Sequence, residues 1–432
     1  IYDDIGNLRC VIQPEGVKEL YPSWSFIIKP LTLSEQCFRY EYDKRSRMIM
    51  KKVPGAGDVY MVYDAKNRLV MMQDENMRQG TIKKWLVTKY NDVQNRPTET
   101  GMWDNNTLFA THLFAAASNP NYPNTTGTYE LLTLTHYDDY TALPSGLSAT
   151  YLNTWDTHFV PTDNVNWPYP QMPLQLKAVK GMPTWSQIKV LGTNTYLFSV
   201  TIYDEKGRPI QVQSTNITGS IDVATTQYSW AGQPLVIVQK QEIQNSSNAQ
   251  ISVVVTQMTY DDLARVIKTE KKVSNTLVNS NAMPAYKIIA QNEYDKIGQL
   301  KKKTLGSSNL ETLNYDYNIR GWVLGMNRGY LATTGQGGPN RFGFELSYDK
   351  NSSSCGRFFG GTEYNGNIAG MIWKSDGDDV IRKYDFKYDP VNRLLKGQFE
   401  QDDANAAWNS TTMNYSIQMG NGSDPISAYD DN

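Results

Sequence analysis

Three histidines, His112, His136 and His158, are the residues best suited to move protons or hold a metal near neutral pH. Gaps of 24 and 22 residues between them fit no compact ligand motif, so each reads as a surface or core histidine. Residues 376–379, Asp-Gly-Asp-Asp, have the acidity of a Ca²⁺ loop without its regular ligand spacing or closing glutamate, and read as a polar hairpin tip. Residues 352–356, Ser-Ser-Ser-Cys-Gly, have no histidine in a partner motif and read as a loop before a nucleophile. The glycines Gly356, Gly360, Gly361 and Gly366 lack the Lys-Ser/Thr and helical pattern of a phosphate cradle. No catalytic residue, cofactor or metal is therefore expected. The remaining chemistry is aromatic: in Trp167-Pro168-Tyr169-Pro170, Trp167 and Tyr169 are candidates to stack on a sugar ring, against the plainer reading of an aromatic plug packed on a sheet.

The elements around these residues announce themselves by repetition. Tyr-Asp occurs twelve times, starting at Tyr2, Tyr42, Tyr63, Tyr137, Tyr203, Tyr260, Tyr294, Tyr315, Tyr348, Tyr384, Tyr388 and Tyr429. Random placement gives about two. The flanks repeat as well, with Gly or Asn and then often Arg and an apolar residue. Examples are Tyr2-Asp3 with Gly6, Tyr63-Asp64 with Asn67-Arg68-Leu69, Tyr203-Asp204 with Gly207-Arg208, Tyr294-Asp295 with Gly298, and Tyr388-Asp389 with Asn392-Arg393-Leu394. Tyr228 to Pro234 and Tyr260 to Val266 are degenerate copies. Each copy makes sense as a β-hairpin: a strand ends on Tyr, Asp opens the turn, Gly or Asn takes positive φ, and the apolar residue starts the return strand. In the returning strands, Ile210-Gln-Val212-Gln alternates and reads as half-buried, whereas Leu235 to Val238 is continuous and reads as fully buried. Single hairpins are marginal in water, so many must pair edge to edge.

Composition agrees with β structure. The 432 residues include 28 Tyr and 31 Gly, and are 40% hydrophobic, enough for a large core. A formal charge of -2 with interspersed signs offers no basic face for nucleic acid. No apolar run approaches the ~18 residues of a membrane-spanning helix, so no direct membrane insertion is expected. Cys10, Cys37 and Cys355 show no disulfide framework and leave the compartment open. The opening residues look like the interior of a repeat, so the chain is expected to be a piece of something longer.

Three regions follow: hairpins over 1–104, an irregular insertion or plug over 105–192 where Pro and Trp cluster, and further hairpins over 193–432. Within the insertion, residues 108–118 are a rare helical segment.

The Tyr-Asp-x-x-Gly-Arg-Leu pattern resembles the YD repeat of the Rhs and teneurin family, over nearly the whole chain outside 105–192. Longer strings, such as Gln291 to Leu300, Tyr317 to Trp322, Phe342 to Tyr348 and Tyr364 to Ala369, are similar to a Bacteroidetes branch of surface and secreted proteins. The resemblance implies an all-β fold, a long antiparallel sheet spiralling into a shell or β-cocoon. In it Tyr2, Asp3, Gly6, Tyr63, Asp64, Asn67, Tyr203, Asp204, Gly207, Tyr294, Asp295, Gly298, Tyr388, Asp389 and Asn392 are structural repeat positions. The family's self-cleaving core does not match here, because Tyr388-Asp389-Pro390 runs on to Asn392-Arg393-Leu394 and the next Asp-Pro starts only at Asp424.

The expected role is a non-enzymatic shell segment of a large secreted or outer-surface protein, enclosing or scaffolding a C-terminal toxin domain, with the rest of its own chain as partner and type IX secretion components as conveyor. A surface adhesion or carbohydrate-binding scaffold is the alternative. A hydrolase ranks third, for want of a catalytic constellation.

Overall fold

A computed structural model describes residues 1–25, 27, 30–333, 340–402, 407–410, 413–424 and 427–429. Pro425, Asp430 and Asn432 lie outside them, and with them part of the Asp424-Pro425 step and of the last Tyr-Asp dipeptide. The fold is all-β: 26 strands are found among the described residues, and every strand pairing is antiparallel. The chain forms two compact units, one of residues 1–156, 173–226 and 239–251, the other of 157–172, 227–238 and 252–432.

The repeat governs where strands stop and start. Strand Val59–Tyr63 returns as Leu69–Gln73, Tyr196–Tyr203 as Pro209–Thr215, Gln250–Tyr260 as Val266–Asn275, Lys287–Tyr294 as Leu300–Leu305, and Ile381–Tyr388 as Leu394–Asp402. In each pair the register shifts at the tyrosine, so that Tyr63 faces Leu69 and Tyr294 faces Leu300. One residue of each turn is left out of the ladder, in positive φ, as a type I turn with a glycine-type bulge requires. Gly298 fills that place at φ 93 and Asn392 at φ 69.

The first unit has a core of Val62, Val70, Met71, Trp85, Val87 and Trp103. The apolar face of helix Phe109–Ala116, the one helix of eight residues among those described, closes over it through Phe109, Leu113 and Ala116. In the second unit Leu331, Phe359 and Ile372 form a smaller cluster.

Within 105–192, Tyr129–Tyr137 is a regular strand between Glu99–Asp104 and Pro183–Lys189. It ends on one of the Tyr-Asp dipeptides, Tyr137-Asp138, but Asp138 N donates to Met182 O and closes no repeat turn.

Ile210-Gln-Val212-Gln, expected to be half-buried, is covered on both faces: Ile210 is 2% exposed, and on the opposite face Gln211 and Gln213 are each 1% exposed. Their face is covered by the non-repeat segment, whose backbone has no strand partner there and needs one. Gln211 supplies it through its side-chain amide, accepting from Leu152 N at 3.0 Å and donating to Leu152 O at 2.9 Å. Gln213 accepts from Ser148 N. In the second unit Gln227 repeats the two-point pairing with Val160 N and O, at 2.9 and 2.7 Å. Glutamine amides thus act as substitute peptide groups, which lets a Pro-rich segment lie on a sheet face without orphaned backbone groups.

Ala264 occupies the turn position at φ 64, where an L-residue with a Cβ is strained. Ala264→Gly should therefore raise stability by ~0.5–1 kcal/mol despite the flexibility it adds to the unfolded chain, while Gly298→Val should lower it by more than about 1 kcal/mol. Thermal melts of the two variants beside the parent check both signs.

Candidate functional site

The residue type that could do chemistry most often, aspartate, is consumed by the turns. Asp204 N donates to Arg208 O and Gly207 N to Asp204 O, closing the backbone loop. Inside it, Asp204 Oδ1 accepts from the amides of Lys206 and Arg208, both at 2.9 Å, and Oδ2 accepts from Arg208 Nε at 2.6 Å. Asp64 and Asp389 repeat this with Arg68 and Arg393, and the three carboxylates are at most 5% exposed. Asp43 with Arg47 and Asp261 with Arg265 do the same, and Asp92 accepts from the amides of Gln94 and Arg96 and from Arg96 Nε. Three or more charge-assisted bonds satisfy each carboxylate, leaving little capacity for a substrate or metal. At Asp389, burial pushes the pKa up, but the Arg393 backbone and side-chain bonds outweigh it and the net shift is downward.

The same two backbone bonds close eleven turns among the described residues, seven of them on a Tyr-Asp dipeptide. Asn216, Ser229, Asn318 and Ser353 stand where the other copies have Asp. After Asn216, Ser229 and Asn318 the residue four positions on is Ser220, Gln233 or Trp322, not Arg. A neutral side chain can accept the backbone amides, and the second carboxylate oxygen is free to hold an arginine where one follows. Asp3 and Asp295 keep the carboxylate with Asn7 and Gln299 in the arginine's place, and Ser353 is followed by Arg357, which forms an ion pair with Asp402. Conversely, Tyr315-Asp316 and Tyr384-Asp385 lie inside strands, so Tyr317 and Tyr388 are the turn tyrosines there.

Those tyrosines connect one copy to the next. Tyr260 OH donates to Pro234 O at 2.8 Å, Tyr294 OH to Val266 O at 3.0 Å, Tyr317 OH to Leu300 O at 3.0 Å, and Tyr348 OH to Val323 O at 3.0 Å. In the first unit Tyr90 OH reaches Leu69 O at 3.1 Å and Tyr203 OH reaches Pro183 O at 2.7 Å. Pro234, Val266, Leu300, Val323 and Leu69 all hold the same place, the first residue of the return strand in the preceding hairpin. Burial pushes the pKa of Tyr90, Tyr203, Tyr260 and Tyr388 up, which keeps their hydroxyls as donors. Over the ring face lies the arginine of the preceding turn: Arg47 over Tyr63, Arg68 over Tyr90, Arg265 over Tyr294 and Arg393 over Tyr429, at 4.4–5.0 Å from the ring centre. At the chain start Tyr2 is 68% exposed, although Asp3 and Gly6 still make the turn bonds.

No protein-family model matches the sequence, and no curated protein matches it. Among solved structures, the chain is similar to the crystal structure of TcdB2-TccC3 without its hypervariable C-terminal region, at 11% identity and a TM-score of 0.44, covering 99% of this chain and 19% of that one. The Photorhabdus luminescens Tc holotoxin pore is similar at 11% identity and a TM-score of 0.32, over 97% of this chain and 18% of that one. This chain thus spans less than a fifth of the length of either.

The remaining candidates are dispersed. His112 is 1% exposed between Trp85 and Trp103, with Nδ1 2.5 Å from Tyr122 OH, and burial lowers its pKa to about 4. His136 stacks on Trp185 at 5.2 Å, and burial lowers the pKa of His158. Asp376, Asp378 and Asp379 pair with Arg341, Arg382 and Lys374. Ser353 caps its turn, and Ser354 Oγ donates to Glu345 at 2.6 Å. Trp167 is half-buried, its Nε1 donating to Met258 O at 2.7 Å, while Tyr169 is 68% exposed at φ 53. A cleft of about 520 Å³ near Trp322, Tyr348 and Tyr364 contains the Arg328–Glu345 ion pair. Sequence spacing gave no sign of it, because its lining comes from three separate hairpins.

Where Arg accompanies Asp, Asn is no longer a harmless substitute: its amide would aim a donor at Arg Nε. Asp204→Asn should cost ~1.5–3 kcal/mol, whereas Asp295→Asn, which faces Gln299, should cost under about 1 kcal/mol. Adding Arg208→Gln to Asp204→Asn should recover part of the loss. Denaturant titration of the single and double variants measures the coupling.

Proposed function

We propose that this chain is a non-enzymatic wall segment of a large secreted or outer-surface Rhs/YD-repeat protein, enclosing or scaffolding a C-terminal effector domain. One observation carries the reading: the residues that recur, Tyr, Asp, Gly or Asn, and Arg, are spent on each other and on backbone. The carboxylate holds its own turn and its own arginine, the arginine covers the next tyrosine, and that tyrosine bonds back to the preceding hairpin. Such a chain of contacts extends a sheet by one hairpin at a time. Repeat architectures gain stability in this nearest-neighbour manner.

The sequence resemblance to the YD-repeat family supports the same reading. Among the described residues, no helix is long and apolar enough to cross a membrane. Partners in this account are the remainder of the same polypeptide and the export machinery, of which a type IX system fits the Bacteroidetes likeness.

Limited proteolysis of the full-length protein tests the role. The domain that follows this segment should survive protease while the wall is folded, and be degraded at least ~10-fold faster once turn variants such as Asp389→Ala loosen it. Equal degradation of that domain with and without an intact wall would overturn enclosure. A folded Asp389→Asn variant that lost a defined hydrolytic activity would overturn the non-enzymatic reading.

A further inference from the structure

Two of the three cysteines meet across the first strand pair. Strand Cys10–Ile12 lies antiparallel to Cys37–Tyr42, with Ile12 opposite Cys37, Val11 opposite Phe38 and Cys10 opposite Arg39. Side chains alternate along a strand, so Cys10, Ile12 and Cys37 share one face and the two cysteines are diagonal neighbours. That face is turned inward: Cys10 is 8% exposed and Cys37 0%. Both thiols are free, and the Cys10 thiol is a near neighbour that helps raise the pKa of Cys37. Cys355, by contrast, has its Sγ 3.1 Å from Ser353 Oγ.

We propose that Cys10 and Cys37 are the two halves of a structural disulfide, closed while the chain folds in an oxidising compartment. The inference goes beyond the wall reading and shares with it only the exported location. Diagonal positions start about 7–8 Å apart at Cα, and a disulfide needs roughly 4.4–6.8 Å. A strand of three residues near the chain's first turn can take up that difference. Burial, then the neighbouring Cys10 thiol, push the pKa of Cys37 up, so the folded pair is unreactive and closure belongs to folding, before the strand docks.

The oxidant is a small or protein disulfide. The Cys10 thiolate attacks one of its sulfurs, its S–S bond breaks, and one thiol leaves. The Cys37 thiolate then displaces the second oxidant sulfur from the mixed disulfide. A new S–S bond joins Cys10 to Cys37, the oxidant ends as two thiols, and the chain has lost two hydrogens. The bond closes the segment that holds helices Pro14–Leu20 and Pro30–Glu35, and fixes the first strand to the sheet.

The test uses the whole chain, refolded with oxidised glutathione, then alkylated in denaturant and weighed. Expected are one alkylated cysteine, a mass about 2 Da below the reduced chain before alkylation, and a cross-linked peptide joining Cys10 to Cys37. Reduction should lower the melting temperature by roughly 4 °C or more, and Cys10→Ser should remove that difference. Three alkylated cysteines, glutathione left on Cys10 or Cys37, or a link to Cys355 overturns the proposal. The same count on chain recovered from an oxidising compartment separates the two claims. A bond that closes in vitro but is absent there overturns the native disulfide and leaves the wall reading standing, since protease protection tests that independently.

Discussion

A carboxylate taken out of water at a hairpin turn must have its negative charge met, and the structure depends on how this chain meets it. Two backbone amides and one guanidinium do so at Asp64, Asp204 and Asp389. The amides fix the turn, while the guanidinium exports the consequence. Held by its Nε, the arginine has a plane in a set position, and the next tyrosine ring lies under it. That ring in turn places a hydroxyl against the preceding return strand. Local turn chemistry is thereby converted into sheet register, which a period-two strand pattern alone holds weakly.

This economy accounts for many of the chain's potential catalytic groups. Carboxylates, arginines and tyrosines recur because the repeat turns set them against one another. After Asn216, Ser229 and Asn318 arginine and charge are both missing and the turn keeps only its amide acceptor, whereas Asp3 and Asp295 keep the charge beside Asn7 and Gln299. The buried His112 follows the same economy: set among Trp85, Trp103 and Tyr122, it is a packed ring with one hydrogen bond.

Hairpins were legible because the turn's demands are local: an acceptor at one place, positive φ three residues later, an apolar residue two after that. Copies built on Asn216 and Ser353 were not, since Asn and Ser do the same work without the dipeptide. Strand Tyr129–Tyr137 escaped because it is joined to its neighbours by no repeat turn. Gln211 and Gln213 misled for another reason. Alternation places two side-chain sets on opposite faces but does not say whether one or both are covered, and a covering segment hungry for amide partners buries the polar face as well. The meeting of Cys10 and Cys37 depends on register across two helices' worth of chain, which no spacing rule reports.

The most direct test of the account removes only the hydroxyls. Tyr→Phe at Tyr203, Tyr260, Tyr294 and Tyr317 keeps the ring and its packing, with Arg265 still over Tyr294, and leaves one carbonyl short of a donor in the preceding copy. Chemical denaturation of the four variants should show losses of ~1 kcal/mol each, with hydrogen exchange faster in the preceding hairpin than in the mutated one. Four neutral variants with unchanged exchange would contradict the claim that the tyrosine hydroxyl joins each hairpin to the last.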